Sequence, residues 1–336
     1  MQNFPLVTAV LLNYNGLRCL GSDFLEECLT SVLRIDYPNL EVIFVDNGST
    51  DGSVDFVRKN FKESEIRVIV NKHNIIAEGY NRGIKASRGK YIALLSNDMI
   101  FEPNWLKTIV KLMEREPQIG IAGGKRMLYG NKNIIDGIGT NLCLCGRARG
   151  VGKFKIDKGQ YNTVRDDLDF IGGAVVVTRK VLHEIGFFDS DYIIFFEDVD
   201  LCFRIRKQGY KVIYEPDAVL WHKRFQTIKA MDPVGHYIQF MGDRSRIRFA
   251  IIHFVPIRLF STFLIDFAFL LVSSVTSKKL LLKAYWWNLK NIAITLKRRA
   301  HHGPSPFSCK FPVLYFHLSD APKRLHKIFA RSSELT

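Results

Sequence analysis

"YIALLSNDMIF", residues 91–101, is an apolar run that halts at Ser96-Asn97-Asp98 and then resumes. A run of this length bounded by polar residues reads as a buried strand, and a carboxylate at its end calls for a partner. Three other stretches share the design. Leu6–Leu12 ends in Asn13-Tyr14-Asn15-Gly16, and "LEVIFVD" ends in Asp46 before a Gly-containing turn. "IRVIV", residues 66–70, is a third apolar run that leads into a helix near Ala77 to Ser87. Helical spacing follows each strand: Phe24, Leu25, Cys28, Leu29, Val32 and Leu33 first, then a helix from Thr50 or Asp51, then one after Pro103, a residue suited to a first helical turn. Four strand-helix alternations predict an α/β fold with a mostly parallel sheet flanked by helices, and ligands in such sheets sit beyond the carboxyl ends of the strands. Asn13, Asp46 and Asp98 would therefore meet along one edge.

Past these units, residues 123–168 are rich in Gly, Asn and Lys and read as irregular, a hairpin or a mobile loop. "DLDFIGGAVVVTRKVLHEIGFFD" carries Gly172-Gly173 in a strand before a short helix. "FFEDVDLCFRIRKQGYKVIYEPDAVLWH" predicts a helix from Glu197 to Gln208, a strand over 211–214 and an extended end at Trp221-His222.

The chain has 336 residues and a formal charge of +15, with 47% hydrophobic residues, which excludes a disordered or fibrous class. From Lys223 onward there are 19 Lys and Arg against 5 Asp and Glu, so the basic character belongs to the last third. That places a domain boundary near residue 225, between an α/β part, 1–225, and a basic, apolar helical extension, 226–336. Within the extension, Phe249–Val275 is strongly apolar but interrupted by His253, Pro256, Arg258 and Asp266. Its clearest part is at the lower limit for a spanning helix, so an interfacial helix against anionic lipid is the expectation. A nucleic-acid partner is not expected, because the tail's aromatics sit in an apolar run rather than between exposed cations. Six cysteines, at 19, 28, 143, 145, 202 and 309, have neither zinc spacing nor a disulfide framework and read as reduced thiols. No signal peptide is evident in "MQNFPLVTAVLLNYNG".

Each polar group has two readings on its own. Asp98 caps a helix or binds a divalent ion, for which oxygen ligands suit hard cations. Asp46-Asn47-Gly48-Ser49-Thr50-Asp51-Gly52 is a turn and cap or a cradle for a base and ribose. Glu197 and Asp198 are an acidic first turn, with Asp200 paired to Arg204, or they hold a general base. His222 is structural or a ligand.

In order along the chain, "VLLNYNG", "VIFVDNGSTDGS", "LLSNDM", "IGGAVVVTRKVLHEIGFFD", "FFEDVDLCFRIRKQGY" and "PDAVLWH" resemble the successive motifs of glycosyltransferase family 2, in its rhamnosyltransferase-like branch. The match covers about Leu6 to His222. The resemblance implies a GT-A type fold and inverting transfer of a sugar, with rhamnose a candidate, from a dTDP- or UDP-sugar to a lipid-linked saccharide or growing cell-surface glycan. It implies Asp198 as base with Glu197 near the acceptor. Asn13, Asp46, Asn47, Ser49 and Asn81 would be nucleotide contacts, and Gly172, Gly173 and Arg204 would face donor sugar or acceptor. Asp98 and His222 would be ligands of Mg or Mn. Ser96 stands where the metal motif carries Asp or Asn, and Ile75, Ile76 and Glu78 depart from a Gly-rich segment. The expected location is the cytoplasmic face of the cell membrane, peripheral or monotopic. Two rival classes are a non-catalytic membrane-bound saccharide-binding module and a sugar nucleotidyltransferase, though "NYNGLRCL" makes a poor phosphate loop.

Overall fold

Strands and helices alternate from the strand that begins at Val7 to the helix that ends at Arg115. The structure, a computed structural model, describes residues 4–223, 232 and 235–304. Cys309 and the basic residues beyond 304 lie outside the described residues. The described residues divide into two compact units, the first within 1–140 and 150–233, the second within 141–149 and 234–336.

In the first unit, β1 (Val7–Asn13), β2 (Leu40–Asp46), β3 (Arg67–Val70) and β4 (Tyr91–Ser96) run parallel in the order β3-β2-β1-β4. Between them come α1 (Gly16–Leu20), α2 (Ser22–Leu33), α3 (Ser53–Asn60) and α4 (Ile76–Ala86). The apolar runs of β1, β2 and β4 are buried almost throughout, as a sheet covered on both faces requires. Gly79 and Gly83, one turn apart on α4, let that helix lie against the sheet: a Cβ on Gly83 would stand 2.2 Å from Val10 Cγ1.

Beyond β4 the sheet becomes mixed. β5 (Met99–Phe101) and α5 (Trp105–Arg115) are followed by β6 (Ile119–Leu128), β7 (Asn131–Gly137), β8 (Gly139–Leu142) and β9 (Ala148–Val151). Of the readings of residues 123–168 as irregular, a hairpin or a mobile loop, the hairpin is the one seen: β6 and β7 form an antiparallel hairpin, and β8 with β9 a two-stranded ladder. β10 (Val175–Thr178) then enters between β4 and β6, antiparallel to both, after a connection through β7, β8, β9 and a loop that contains no crossover helix. α6 (Arg179–Ile185), α7 (Glu197–Lys207) and β11 (Lys211–His222) complete the unit, and the order continues β10-β6-β11-β5 with β7 on β6. Pro103 precedes α5, whose N-cap is Asn104, so it stands before the first turn and not within it.

The second unit is helical: His236–His253, Pro256–Val272, Val275–Lys290 and Ile292–His302. The apolar tract of residues 249–275, read as interrupted at His253 and Pro256, breaks between two helices at Phe254-Val255, and Pro256 opens the second. No helix among the described residues is long and apolar enough to cross a membrane.

Candidate active site

The tips of β1, β2 and β4 meet, but through Asn97 and not through the expected Asp98, so the polar groups fall into two sets. Asn97 turns inward, its Nδ2 donating to Asn13 Oδ1 at 2.6 Å. Asn13 Nδ2 donates to Asp46 Oδ1 at 2.8 Å, and Ser49 gives Asp46 its hydroxyl at 2.6 Å and its backbone N–H at 2.8 Å. Asp46 is fully buried. The register Asn13↔Asp46 between β1 and β2 sets this network. Asn47 Oδ1 accepts from Asn71 at 2.7 Å while its Nδ2 donates to the Ile75 carbonyl at 3.2 Å, so its amide staples the loops behind the turn.

Asp98 turns the other way. β5 pairs with β11 in the register Met99↔His222, which sets the residue before Met99 beside the imidazole. Asp98 Oδ2 lies 3.1 Å from His222 Nε2, and Asp136 Oδ2 lies 2.9 Å from Nδ1. Arg126 Nε approaches Asp136 at 3.4 Å and its Nη1 donates to the Gly172 carbonyl. Burial is the largest single influence and raises the Asp98 carboxyl, but the His222 charge together with hydrogen bonds from His222, Ser96 and the backbone holds the group below the usual carboxylate range. Burial lowers His222, and the two carboxylates reverse this, lifting it to about 9. Asp98 Oδ1 is buried without a hydrogen-bond partner.

A cavity of about 240 Å³ opens in front of this group. Ser96, Asp98, His222, Gly172, Gly173, Glu197 and Asp198 line it, with Tyr80 and Phe188 stacked at 5.5 Å on one wall. Glu197 and Asp198 begin α7, and the two residues before them, Phe195 and Phe196, both hold positive φ, 66° and 69°. Non-glycine residues seldom adopt that conformation, so packing of the loop must enforce the presentation of the two carboxylates. Asp198 Oδ1 accepts from Val199 N at 2.8 Å. Asp198 Oδ2 lies against Gly172, 2.1 Å from where a Cβ would stand, so only glycine leaves room for it. Burial pushes both carboxyls up; Asp198's charge raises Glu197 further, whereas the Val199 N–H and the Arg126 charge partly restrain Asp198. Glu197 Oε2 is buried without a partner.

Asn13, Asp46, Asn47 and Ser49 stay in the network of the strand tips and do not line the cavity, and two further expected site residues, Arg204 and Asn81, are engaged elsewhere. Arg204 is buried with Asp200 at 2.8 Å and donates to the carbonyls of Ile185, Gly186 and Phe187, closing the end of α6. Asn81 exchanges two hydrogen bonds of 2.9 Å with the Phe188 backbone, which ties α4 to that cavity wall. Sequence reasoning missed Arg126, Asp136 and Asn97. Asn97 stands within the quoted motif; Asp136 and Arg126 belong to the hairpin read as irregular, where spacing gave no signal.

The donor set suits a divalent ion held jointly with a ligand. Among the described residues no group of three or more His, Cys, Asp or Glu is placed to hold a metal by itself. One carboxylate with an unpartnered oxygen and one imidazole, oriented from behind by Asp136, fit an ion completed by phosphate oxygens.

A family model described as Glycosyl transferase family 2 matches residues 8–186. Poly-beta-1,6-N-acetyl-D-glucosamine synthase of Staphylococcus aureus (strain MSSA476) is 25% identical over 217 residues, 64% of this chain and 49% of that protein. The chain thus spans about half the length of that curated relative. Among solved structures, the mannosyltransferase PcManGT from Pyrobaculum calidifontis, in complex with GDP-Man and Mn2+, aligns with TM-score 0.53 and 18% identity over 90% of this chain and 86% of that one. GalNAc-T7 with UDP, GalNAc and Mn2+ aligns with TM-score 0.55 and 13% identity, over 90% and 59% respectively. These likenesses carry the fold, which is of the GT-A type.

Proposed function

The chain belongs to glycosyl transferase family 2 and is a glycosyltransferase; from that premise we propose that it performs an inverting transfer from a nucleoside diphosphate sugar, with Asp198 as general base. The observation that carries this reading is one cavity bearing Asp98 and His222 on one wall and Glu197 and Asp198 on another. The acceptor hydroxyl gives its proton to Asp198 as its oxygen attacks the anomeric carbon. The bond from that carbon to the diphosphate breaks, and its electron pair leaves on the nucleoside diphosphate. A carboxyl raised by burial suits this task, because its proton affinity lies nearer neutrality than that of an ordinary aspartate. Glu197 lies beside the acceptor's approach. Gly172 and Gly173 let the donor sugar come close to the backbone.

Asp98 and His222 would hold Mg or Mn together with the diphosphate, and the ion would supply Lewis-acid stabilisation of the leaving charge. Asp136 keeps the His222 Nε2 edge turned to that position. Asn13, Asp46 and Ser49 form the nucleoside end. Asp46 already accepts from Asn13 and Ser49, so the imide N–H of uracil or thymine would enter by replacing one of those donors. A dTDP- or UDP-sugar is the donor proposed, rhamnose among the sugars, and a lipid-linked saccharide or growing surface glycan the acceptor. The basic tail supports a peripheral or monotopic position at the cytoplasmic face of the membrane.

Incubation with a panel of dTDP-, UDP- and GDP-sugars, read as release of nucleoside diphosphate and as the anomeric configuration of the product, tests the reading. Asp198→Asn is expected to lower kcat by about 10²–10⁴-fold with donor affinity kept. A product of retained configuration, or an unchanged rate in Asp198→Asn, would overturn it.

A further inference from the structure

The Pro256–Val272 helix is turned inside out relative to a helix of a water-soluble core. Ile257, Phe260, Leu264, Phe267 and Leu271 are each at least 53% exposed. Their spacing of three and four residues puts them on one face. The buried face carries Arg258, Thr262, Asp266 and Phe269. That orientation is fixed by specific bonds: Arg258 donates to the Cys143 carbonyl at 3.0 Å, and Asp266 accepts from Arg246 at 2.7 Å and from Tyr285 at 2.5 Å. Rotating the helix to hide its apolar face would strand a buried ionic network. Single exposed leucines are ordinary, but a continuous stripe of large apolar side chains calls for a cover.

The stripe continues onto the Val275–Lys290 helix. Val275, Leu282, Trp286 and Leu289 are exposed there, and Leu282, Trp286 and Leu289 also line an apolar groove of about 430 Å³ with Ile247, Ile251 and Phe263. Lysines stand among them: Lys279, Lys283 and Lys290 are exposed, and Lys290 Nζ lies 5.2 Å from the Trp286 ring centre. Between residues 244 and 304 the only acidic residue is Asp266, and it is buried. Among the described residues of these helices every exposed charge is thus positive.

We propose that this face docks into the interface of an anionic bilayer, the Pro256–Val272 helix lying in the membrane plane. The stripe then faces acyl chains, while the lysines meet headgroup phosphates and Trp286 sits at their level. This rests on the peripheral placement proposed above and names its face and its lipid. Charge complementarity selects the occupant: anionic headgroups neutralise the lysines, whereas a second copy of the chain would bring the same charge against them. Held in plane, the helix needs no spanning length.

Flotation of the full chain with phosphatidylcholine vesicles, with and without about one-third phosphatidylglycerol, tests the proposal. Binding is expected to anionic vesicles, weakened at least about tenfold in neutral ones or by Lys279→Glu with Lys283→Glu. It should weaken about tenfold or more in Phe260→Ser with Phe267→Ser, whose circular dichroism should match wild type because both sites are exposed. In wild type, brominated lipid should quench a tryptophan signal that Trp286→Phe removes. Folded wild type that fails to float, or floats equally when the stripe is changed, would overturn the proposal. So would a dimer by light scattering that the stripe variant dissociates. Flotation is read without any transfer reaction, so a failure here and a failure of the catalytic reading are separate results.

Discussion

Asp198 and Gly172 are built as one object. The carboxylate oxygen occupies the space where any other residue's Cβ would be, 2.1 Å away. Gly172→Ala must therefore move the proposed base while leaving the metal and nucleoside groups in place. We expect kcat to fall by about 100-fold with nucleotide affinity within about threefold of wild type, measured by steady-state kinetics and calorimetry, since a misplacement near 1 Å costs about that factor. Glu197 yields a prediction about stability. Its folded-state affinity for a proton is raised, by burial first and by Asp198 second. A raised carboxyl contributes stability that is full below the ordinary carboxylate range, near about 4.3, and lost as pH rises through the folded value. Glu197→Gln should thus unfold at the same temperature as wild type near pH 4 and at a higher one near pH 8, as thermal denaturation would show; an equal difference at both pH values would contradict this origin. Most of these residues were legible in the sequence, because each ends a strand or begins a helix in a named motif. Arg204, whose pairing with Asp200 was legible at i, i+4, and Asn81 are both engaged with backbone groups. Polar side chains in such motifs also tie loops together, and spacing does not tell a carbonyl partner from a substrate.

At the scale of elements, the parallel half of the sheet was legible from four apolar runs, each followed by helical spacing. In the mixed half, β10, α6, α7 and β11 were legible, whereas β6 to β9 fell largely in a segment that read as irregular, a hairpin or a mobile loop. β6 continues through Gly123, Gly124, Lys125 and Arg126, and its partner β7 begins Asn131-Lys132-Asn133, compositions that read as loop until a neighbouring strand supplies the hydrogen bonds. That hairpin holds Asp136, and the register of β5 on β11 brings Asp98 to His222 in front of it. Asp136 therefore orients the imidazole from behind. In Asp136→Ala the affinity for Mn²⁺ with UDP should fall by about 10–100-fold, while Asp136→Asn, which keeps one hydrogen bond to the ring, should recover part of it. Titration calorimetry reads both, and equal losses in the two variants would point to a general collapse of the hairpin instead.

The whole molecule has two units of opposite design. The first hides an apolar core and collects its polar groups at strand tips. In the second, an ionic network of Arg246, Asp243 and Asp266 is buried and a face of large apolar side chains is left outside. The basic charge of the extension was legible from composition, but the inversion of the Pro256–Val272 helix was not, because periodicity marks two faces without saying which one is covered. For the first unit the central claim is that the cavity and the Asp46 network together receive a nucleoside diphosphate. Thermal denaturation with UDP, dTDP, GDP and CMP, each with and without Mn²⁺, on wild type, Asp46→Ala and Asp98→Ala, tests it most directly. Stabilisation by UDP or dTDP that needs the ion and is lost in both variants is the predicted result. Folded wild type that no nucleotide stabilises, or stabilisation that survives Asp98→Ala, would contradict it.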